Sequence, residues 1–482
     1  MTVRHRGVSL DSPTSVEQVI NASQGDDIFA IMIGIVVGVA IGTDAIEMTL
    51  LSYLVPCVSA DWDLSTVQEG TLTASVFAGE MVGAMALGIF SDHYGRRLGF
   101  LIATLLVFVF GLLTSVAPSY WWLLSCRSLV GLGAGGMGVP FDLLTELVAI
   151  KRKARFLVDV QMNWALGSFF MGIMAWAVLS NGMSWRWLAL FAALPPGLVL
   201  CCFAYVPESP RWLLVNNRHD EAKEMLKGIA KRNNVELPDF TLKREEKYRD
   251  KKERGVLEIL RRPELRWRSY MAWIVWFSFA FTYYGVILLS ADLLEKDDSC
   301  SFDYAILFFA SSSEILGNLM MRYYIDQVDR RVLTSIHFVV AGVMIFLLSL
   351  YSDLGWLMLF SFIARGAAYI ATSLVWILTP SLYPTEIRST GHAVSNCFAR
   401  LGGVAASYWV DSAGVSYTGV SLLVMFIAFI GATATQAWPK WVSSLGADAD
   451  YPSSATERRP LLAGALDDEV DPKIRASSGV PL

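Results

Sequence analysis

The carboxylates inside apolar segments are the residues of this sequence best suited to chemistry. Asp44 and Glu47 lie three positions apart in the first long apolar segment, so a helix places them on one face. Glu80, Asp142 and Glu314 lie in later apolar segments. A charge inside a membrane is costly and is functional unless a structural partner neutralises it. Facing carboxylates can exchange protons and attract cations, so we expect a proton or cation site.

Basic, polar and aromatic side chains accompany these acids in the apolar segments. Each buried arginine needs an acidic partner, which the sequence does not identify. The alternative to a binding role is that each of these side chains belongs to a structural ion pair or to an aromatic belt at the membrane interface. The predicted substrate and proton site therefore also includes Arg127, Asn163, Trp164, Tyr283, Tyr284, Arg365, Asn396 and Arg400.

A short charged loop, Gly88-Ile-Phe-Ser-Asp92-His-Tyr-Gly95-Arg96-Arg97, joins two apolar segments and recurs half a chain later. Gly95 can supply a turn residue with positive φ, and Asp92 can cap a helix or pair with an arginine. The repeat, Asp326-Gln-Val-Asp329-Arg330-Arg331, has Asp329 in place of Gly95. Aspartate tolerates the left-handed conformation better than most residues, so we expect the turn to be kept.

These loops predict a gate at the cytoplasmic end of the membrane spans. Glu146 and Arg155 lie at the same end, where they can instead form a structural pair. The predicted gate residues are Asp92, Gly95, Arg96, Arg97, Glu146, Arg155, Glu208, Arg211, Asp326, Arg330, Arg331 and Arg388.

Composition places the chain in a membrane. It has 482 residues, of which 54% are hydrophobic, and its mean hydropathy is +0.46. Residues 1–27 are polar, so we expect no cleavable signal peptide and a first span that acts as signal anchor. Twelve spans are predicted near 28–56, 68–91, 96–117, 120–146, 156–180, 184–206, 269–290, 303–325, 332–351, 355–380, 390–411 and 417–438.

The distribution of lysine and arginine among the short loops predicts that both termini are cytoplasmic. A polar linker within 207–268 separates the halves, and its residues Ala222, Met225, Leu226, Ile229 and Ala230 share one helix face. Val256–Leu260 predicts a second short helix. The linker either braces the gate or is a solvated connection. We divide the chain into a tail at 1–27, helical halves at 28–206 and 269–440, the linker at 207–268 and a disordered tail at 441–482.

The tail and the cysteines carry weaker signals. Glu457-Arg-Arg-Pro-Leu461-Leu462 is similar to an acidic dileucine sorting signal. Cys57 and Cys300 can both face the outside, so a disulfide between them is one alternative. The other alternative, which the sequence favours, is that all six cysteines fill apolar space. There is no phosphate-binding loop, catalytic triad or zinc motif, so we predict no enzyme, no cofactor, no metal and a gradient as energy source.

The loop containing Asp92 resembles the loop 2–3 motif of the major facilitator superfamily. Pro207-Glu208-Ser-Pro210-Arg211-Trp-Leu-Leu214 resembles a segment of its sugar-porter and organic-ion branches. The segments beginning Thr43-Asp44, Ser184-Trp-Arg186, Phe281-Thr-Tyr283 and Tyr383-Pro384-Thr385 are similar to the synaptic vesicle 2-related branch and its metabolite-transporter relatives. Ser381 departs from the sugar-porter pattern, as does the lack of a Pro-Glu-Thr-Lys-Gly segment after span 12.

The resemblance implies an all-α fold of twelve transmembrane helices in two six-helix halves, with alternating access. It also implies that Asp92 locks the cytoplasmic side against the second half and that Asp44, with Glu47, binds substrate or proton. We therefore predict a proton-coupled transporter of a small organic cation or metabolite. The alternative is a transporter-like receptor or scaffold.

We expect a monomer in a lipid bilayer of the plasma membrane or an endolysosomal or vesicular membrane. Its predicted partners are the organic solute, protons and sorting adaptors at the C-terminal tail, with no nucleic acid.

Overall fold

The computed structural model describes residues 14–23, 28–148, 153–242, 256–293, 295–296, 300–302, 304–325, 327–351, 353–383, 388–411, 416–440 and 442. Asp326, Glu457, Leu461 and Leu462 lie outside the described residues, as do the side chains of Arg155 and Arg388. The predictions made for these six residues stay predictions.

The described chain is almost entirely helical. The first half comprises α2 (Ile28–Trp62), α3 (Thr66–Tyr94), α4 (Arg96–Ser115), α5 (Tyr120–Gly135), α6 (Gly138–Leu147), α7 (Lys153–Leu179), α8 (Trp185–Ala192) and α9 (Leu194–Cys201), preceded by α1 (Val16–Ala22). The linker holds α10 (Pro210–Val215), α11 (His219–Arg232) and α12 (Val256–Arg261). The second half comprises α13 (Pro263–Leu293), α14 (Tyr304–Tyr324), α15 (Arg330–Leu348), α16 (Leu354–Leu378), α17 (Arg388–Asp411) and α18 (Tyr417–Gln436). A small antiparallel hairpin, β1 (Glu295–Lys296) and β2 (Ser301–Phe302), lies between α13 and α14.

The predicted helical membrane fold is confirmed. Within the described residues, eight helices are long and apolar enough to cross a membrane. The other predicted spans coincide with α14, α17 and two interrupted helices, so the arrangement is consistent with twelve spans. Helix α17 is more polar because it carries His392, Asn396 and Arg400.

Two of the predicted spans are interrupted helices. Span 4 divides into α5 and α6 at Gly136 and Met137. Span 6 divides at Ala193, immediately before Leu194-Pro195-Pro196. Proline lacks the backbone N–H of a continuing helix, so two consecutive prolines are tolerated at the start of α9 but not inside a longer helix.

Glycines let α5 pack closely on α3, as the sequence predicts. A Cβ atom on Gly135 would collide with the backbone oxygen of Glu80, and one on Gly131 would collide with that of Val76. Small residues allow this approach because the backbones themselves are in contact. The close packing fixes the position of Glu80 relative to α5.

The linker helix α11 buries the face that its spacing predicts. Ala222, Leu226, Ile229 and Ala230 are buried there, and Met225 is partly buried. The predicted helix after position 255 is present as α12. An amphipathic helix of this kind is stabilised by burying its apolar face.

The segment predicted as a polar N-terminal tail is partly folded. Helix α1 buries Val16, Val19 and Ile20 in the same apolar cluster as α11. The buried Asn233 side chain donates to the carbonyl of Ser23 and accepts from the N–H of Phe29, at 3.0 Å each. The N–H of Thr14 donates to Thr241 at 2.8 Å. The sequence does not predict this helix because the apolar residues of α1 have a surface to cover only once α11 folds.

Cys57 of α2 and Cys300 form a disulfide, with their Cα atoms 4.4 Å apart. The prediction that every cysteine fills apolar space was therefore wrong for this pair. Residues 243 positions apart meet only through the tertiary fold, which the sequence does not display. The bond connects the two halves at what we call the disulfide end of the bundle. The opposite end, which bears Arg96, Arg97, Arg330 and Arg331, is called the basic end.

Replacing Cys57 by serine should lower the apparent free energy of unfolding by about 2–4 kcal/mol, because the unfolded chain loses a long-range constraint. Thermal unfolding of the purified protein measures this loss, and mass spectrometry of a non-reduced digest should find the linked peptides. Cys201, a free and exposed thiol, provides the matched control Cys201→Ser. Equal stability of the two variants would contradict the cross-link.

Candidate functional site

Arg127 of α5 and Glu47 of α2 form a fully buried ion pair. Their side chains meet at 2.6 Å and neither is exposed. Arg127 also donates to the backbone carbonyl of Glu47 at 3.4 Å. A buried pair with one charge of each sign offsets part of its own desolvation cost, so Glu47 is held by Arg127 inside the first half.

A second buried pair lies within the second half and extends to the first. Arg365 of α16 donates to Glu314 of α14 at 2.8 Å. The hydroxyl of Tyr283 donates to the same carboxylate at 3.0 Å and accepts from the indole N–H of Trp164, on α7, at 2.7 Å. These hydrogen bonds form a continuous path from α7 in one half to α16 in the other.

The third buried group sets two carboxylates against one arginine. Arg400 of α17 lies 2.5 Å from Glu80 of α3 and 3.8 Å from Asp44 of α2. The side chains are at most 8% exposed. Both acids belong to the first half and the arginine to the second. With both acids ionised the group carries one uncompensated negative charge, which a proton or another cation can neutralise.

A central cavity of about 760 Å³, part of it open to solvent, lies between the halves beside this third group. Asp44, Arg400, Asn396 and Gln161 contribute polar groups to its wall. Within the described residues, Asp44 Oδ1 and Asn396 Oδ1 have no hydrogen-bond partner. The rest of the wall is largely aromatic, from Phe141, Trp164, Phe279, Tyr283, Tyr284, Tyr369 and Trp376. Such a mixture suits a small organic molecule.

A second cavity lies towards the basic end, and we call it the basic-end cavity. Arg96, Asp142 and His392 line it. Trp376, Gly138 and Asn396 line both cavities, so the two are adjacent. Asp142, predicted with the substrate site, therefore lines the basic-end cavity together with the gate residue Arg96 and not the central cavity.

The first charged loop is an ordered cluster at the basic end. Arg96 pairs with Asp92 at 2.7 Å and lies 4.0 Å from Glu146. Glu208, from the segment after α9, accepts from the backbone N–H of Arg96 at 2.8 Å and of Arg97 at 3.2 Å. Gly95 has φ of +114°, and a Cβ there would collide with the Glu208 carboxylate. The backbone conformation thus requires glycine, and a larger residue would also displace the Glu208 carboxylate from the N–H groups that it accepts from.

Within the described residues, the hydrogen bonds and ion pairs of this cluster lie in the first half and the linker. Glu146 also accepts a hydrogen bond from Ser209, and the Trp212 indole donates to the backbone oxygen of Asp92. Arg211 lies beside Trp212 in α10. The implied contact of Asp92 with the second half stays a prediction.

The second charged loop has a different geometry from the first. Asp329 has φ of −56° and caps α15 by accepting from the N–H of Arg331 at 2.9 Å. The expectation that Asp329 keeps the turn of Gly95 was therefore wrong, because the carboxylate bonds a helix N-terminus instead. Arg331 also donates to the carbonyl of Trp438 at 2.7 Å, and Arg330 to that of Ile325 at 2.9 Å.

The contacts between the halves at the basic end involve residues that the sequence did not single out. Asp159 of α7 pairs with Arg322 of α14 at 3.1 Å. Asn318 donates to the carbonyl of Val158 at 3.2 Å, and Tyr369 to that of Gln161 at 2.9 Å. Asn318 is a polar residue within a span, a signal that could have identified it. At the disulfide end, Thr71 and Tyr408 meet at 3.4 Å.

One predicted site residue has a packing role. The Asn163 side chain donates to the carbonyl of Val160 at 3.1 Å and fills the space above Gly38 of α2. Trp164, its neighbour in sequence, reaches the central cavity instead. Adjacent residues on a helix point in different directions, so only one of the two can face the cavity.

Residues 23–437 match the model of the sugar (and other) transporter family. The chain is similar to the organic cation/carnitine transporter 7 of Arabidopsis thaliana, with 32% identity over 75% of this chain and 81% of that protein. It is equally similar to the synaptic vesicle 2-related protein of Xenopus laevis, with 32% identity over 83% of this chain and 75% of that protein.

Solved structures of the xylose transporter XylE from E. coli share the fold. Its partially occluded inward-open form has a TM-score of 0.68 at 16% identity, over 85% of this chain and 96% of that one. Its inward-open form has a TM-score of 0.66 at 16% identity, over 90% of this chain and 99% of that one. These similarities concern the helical architecture.

Replacing Arg127 by methionine should lower the apparent free energy of unfolding by about 3–5 kcal/mol, because Glu47 is then a buried charge without its partner. The double variant Glu47→Leu/Arg127→Met should recover most of the loss. Thermal unfolding in detergent measures both. If the double variant is as unstable as the single one, shape and not charge explains the loss.

Proposed function

The chain belongs to the sugar (and other) transporter family of membrane proteins, and we propose that it carries a small organic cation or metabolite by proton-coupled alternating access. The observation that carries this proposal is the central cavity between the halves, where Asp44 and Arg400 face an aromatic wall. A ligand there touches both halves at once. Binding can therefore favour one arrangement of the halves over another.

The wall chemistry favours a cation as substrate. The faces of Trp164, Tyr283, Tyr284 and Trp376 can attract positive charge, and such contacts strengthen when water is excluded. Asp44 supplies a carboxylate whose Oδ1 atom has no hydrogen-bond partner within the described residues. The relative from Arabidopsis thaliana is described as an organic cation/carnitine transporter, which supports the same substrate class.

Proton coupling is supported by the ratio of acids to bases in the third buried group. Arg400 compensates one of the charges on Asp44 and Glu80, so the empty site lacks one positive charge. A proton removes the excess negative charge by neutralising one of the two carboxylates. An organic cation balances the same charge by binding beside them. The two cations thus interact through the same pair of acids.

Alternating access uses two sets of contacts between the halves. Asp159 with Arg322 joins them at the basic end, and Thr71 with Tyr408 at the disulfide end. We assign the basic end to the cytoplasm, where Arg96, Arg97, Arg330 and Arg331 satisfy the positive-inside preference. Both termini then lie in the cytoplasm. The Cys57–Cys300 disulfide lies on the other side, in agreement with an oxidising compartment.

The gate is proposed to form at this cytoplasmic end. Asp92, Arg96, Glu146 and Glu208 build the first-half part around Gly95, and Arg330 and Arg331 belong to the second. The α11 helix packs against the first half, which favours a bracing role of the linker over a solvated connection. The proposed domain division remains that of two helical halves joined by this linker.

We propose a location in the plasma membrane or in an endolysosomal or vesicular membrane. The synaptic vesicle 2-related protein of Xenopus laevis supports the vesicular alternative through its name. The dileucine segment would then bind sorting adaptors. We further propose that the protein acts as a monomer.

A receptor or scaffold without transport is the second candidate function, because a fold does not determine an activity. The similarity to the synaptic vesicle 2-related protein favours it. The uncompensated acid beside an open cavity argues against it, because a scaffold gains nothing from that cost. A scaffold should also show no stabilisation by small solutes.

A thermal-unfolding screen against amines, vitamins, sugars, carboxylates and nucleosides at two pH values tests the proposal. A solute at 100 times its dissociation constant should stabilise the protein by about 2.7 kcal/mol. We expect one class of cations to do so, and the same compound to be taken up by proteoliposomes under a proton gradient. Stabilisation by sugars alone would contradict the cation assignment. No stabilisation and no uptake would favour the scaffold.

Replacing Asp44 by asparagine should abolish gradient-driven uptake while the protein remains folded, because Arg400 keeps Glu80 as its partner at 2.5 Å. Uptake of the stabilising solute by proteoliposomes measures the loss, and thermal unfolding checks the fold. Asp220→Asn makes the same chemical change on an exposed linker residue and should leave uptake intact. Unchanged uptake in Asp44→Asn would contradict the assigned role.

A further inference from the structure

Arg400 differs from the other buried arginines of the described spans in what surrounds it. Arg127 and Arg365 each lie within 3 Å of one carboxylate of their own half. Arg400 instead faces two carboxylates of the opposite half. It also lines the central cavity together with Asp44. Its guanidinium therefore lies where a cation entering the cavity would meet the acidic groups.

The bonds of Arg400 are unequal and incomplete. Its contact with Glu80 is 2.5 Å, whereas its contact with Asp44 is 3.8 Å, too long for a hydrogen bond. The hydroxyl of Tyr284 lies 3.5 Å away. Within the described residues, Arg400 Nε, Asp44 Oδ1 and both carboxylate oxygens of Glu80 have no hydrogen-bond partner, so the contact of Arg400 with Glu80 is an ion pair. The weaker side of the group, Asp44, is also the side that faces the cavity.

We propose that Arg400 is an internal cation that occupies the acidic site of the empty protein in place of a cationic substrate. The proposal rests on the proposed function and adds a role for one residue. A substrate cation takes Asp44, and Arg400 then keeps Glu80 alone. In the empty protein Arg400 returns towards Asp44 and again connects α17 to both α2 and α3.

The internal cation explains how an empty protein can bring its halves together. Asp44 and Glu80 repel each other when both are ionised in a closed site that excludes solvent. A guanidinium from the opposite half reduces this cost when the halves meet. The empty and the loaded protein can then both close around the site, which repeated transport cycles require.

A small free cation tests this position directly. In Arg400→Ala the vacated space should bind ethylguanidinium, which carries the same planar group. We expect millimolar ethylguanidinium to raise the Tm of this variant in a saturable way by about 2 °C or more. The wild-type protein should respond less, because the added cation must first displace Arg400 from Asp44. Ethylurea, which has nearly the same shape but no charge, is the control and should have no effect on either protein.

Two further variants keep the test decisive if Arg400→Ala does not fold. Arg400→Ala/Glu80→Gln removes one acid together with the arginine, and ethylguanidinium should still stabilise it through Asp44. Adding Asp44→Asn should abolish that response. A lack of response in Arg400→Ala/Glu80→Gln, or an equal response in the wild-type protein, would overturn the proposal. Transport is not measured in this assay, so failure of the internal cation is distinct from failure of the proposed function, which the uptake assay reports.

Discussion

The cost of burying charge in a membrane organises this protein. Glu47, Glu80 and Glu314 are fully buried, and each has an arginine partner from another helix. Because an unpaired buried charge costs several kcal/mol, each pair restricts how its helices can lie. The pair of Glu47 with Arg127 stabilises the first half, and the pair of Glu314 with Arg365 stabilises the second. The third connects the halves and is incomplete, so the same physical rule produces rigid halves and an adjustable contact between them.

Much of the fold can be predicted from the sequence because a bilayer imposes strong rules on it. Apolar segments must be helical, so α2, α4 and α16 follow from length and hydropathy. The spacing of Ala222, Leu226 and Ile229 identifies the buried face of α11. The breaks in spans 4 and 6 are harder to predict, since glycine and proline are also common in continuous membrane helices. Helix α1 escaped detection because its partner surface exists only in the folded protein.

The candidate site is predictable in its residue types but not in its pairs. Buried charge identified Asp44, Glu80 and Arg400, yet hydropathy contains no information about which acid meets which arginine. The link of Cys57 to Cys300 and the pair of Asp159 with Arg322 depend on contacts between distant segments. Asp329 shows a different difficulty. Its position in the loop matches that of Gly95, but its carboxylate accepts a hydrogen bond from a backbone N–H at the N-terminus of α15.

The hydrogen bonds of Asn233 and Thr14 join the start of the first half to the chain that leaves it. The start of helix α2, which carries Asp44, is thus hydrogen-bonded directly to the linker after α11. The first and last segments of the first half are therefore held together. Fraying at one end of this half must therefore break hydrogen bonds that also hold the other end, so the two ends should unfold together.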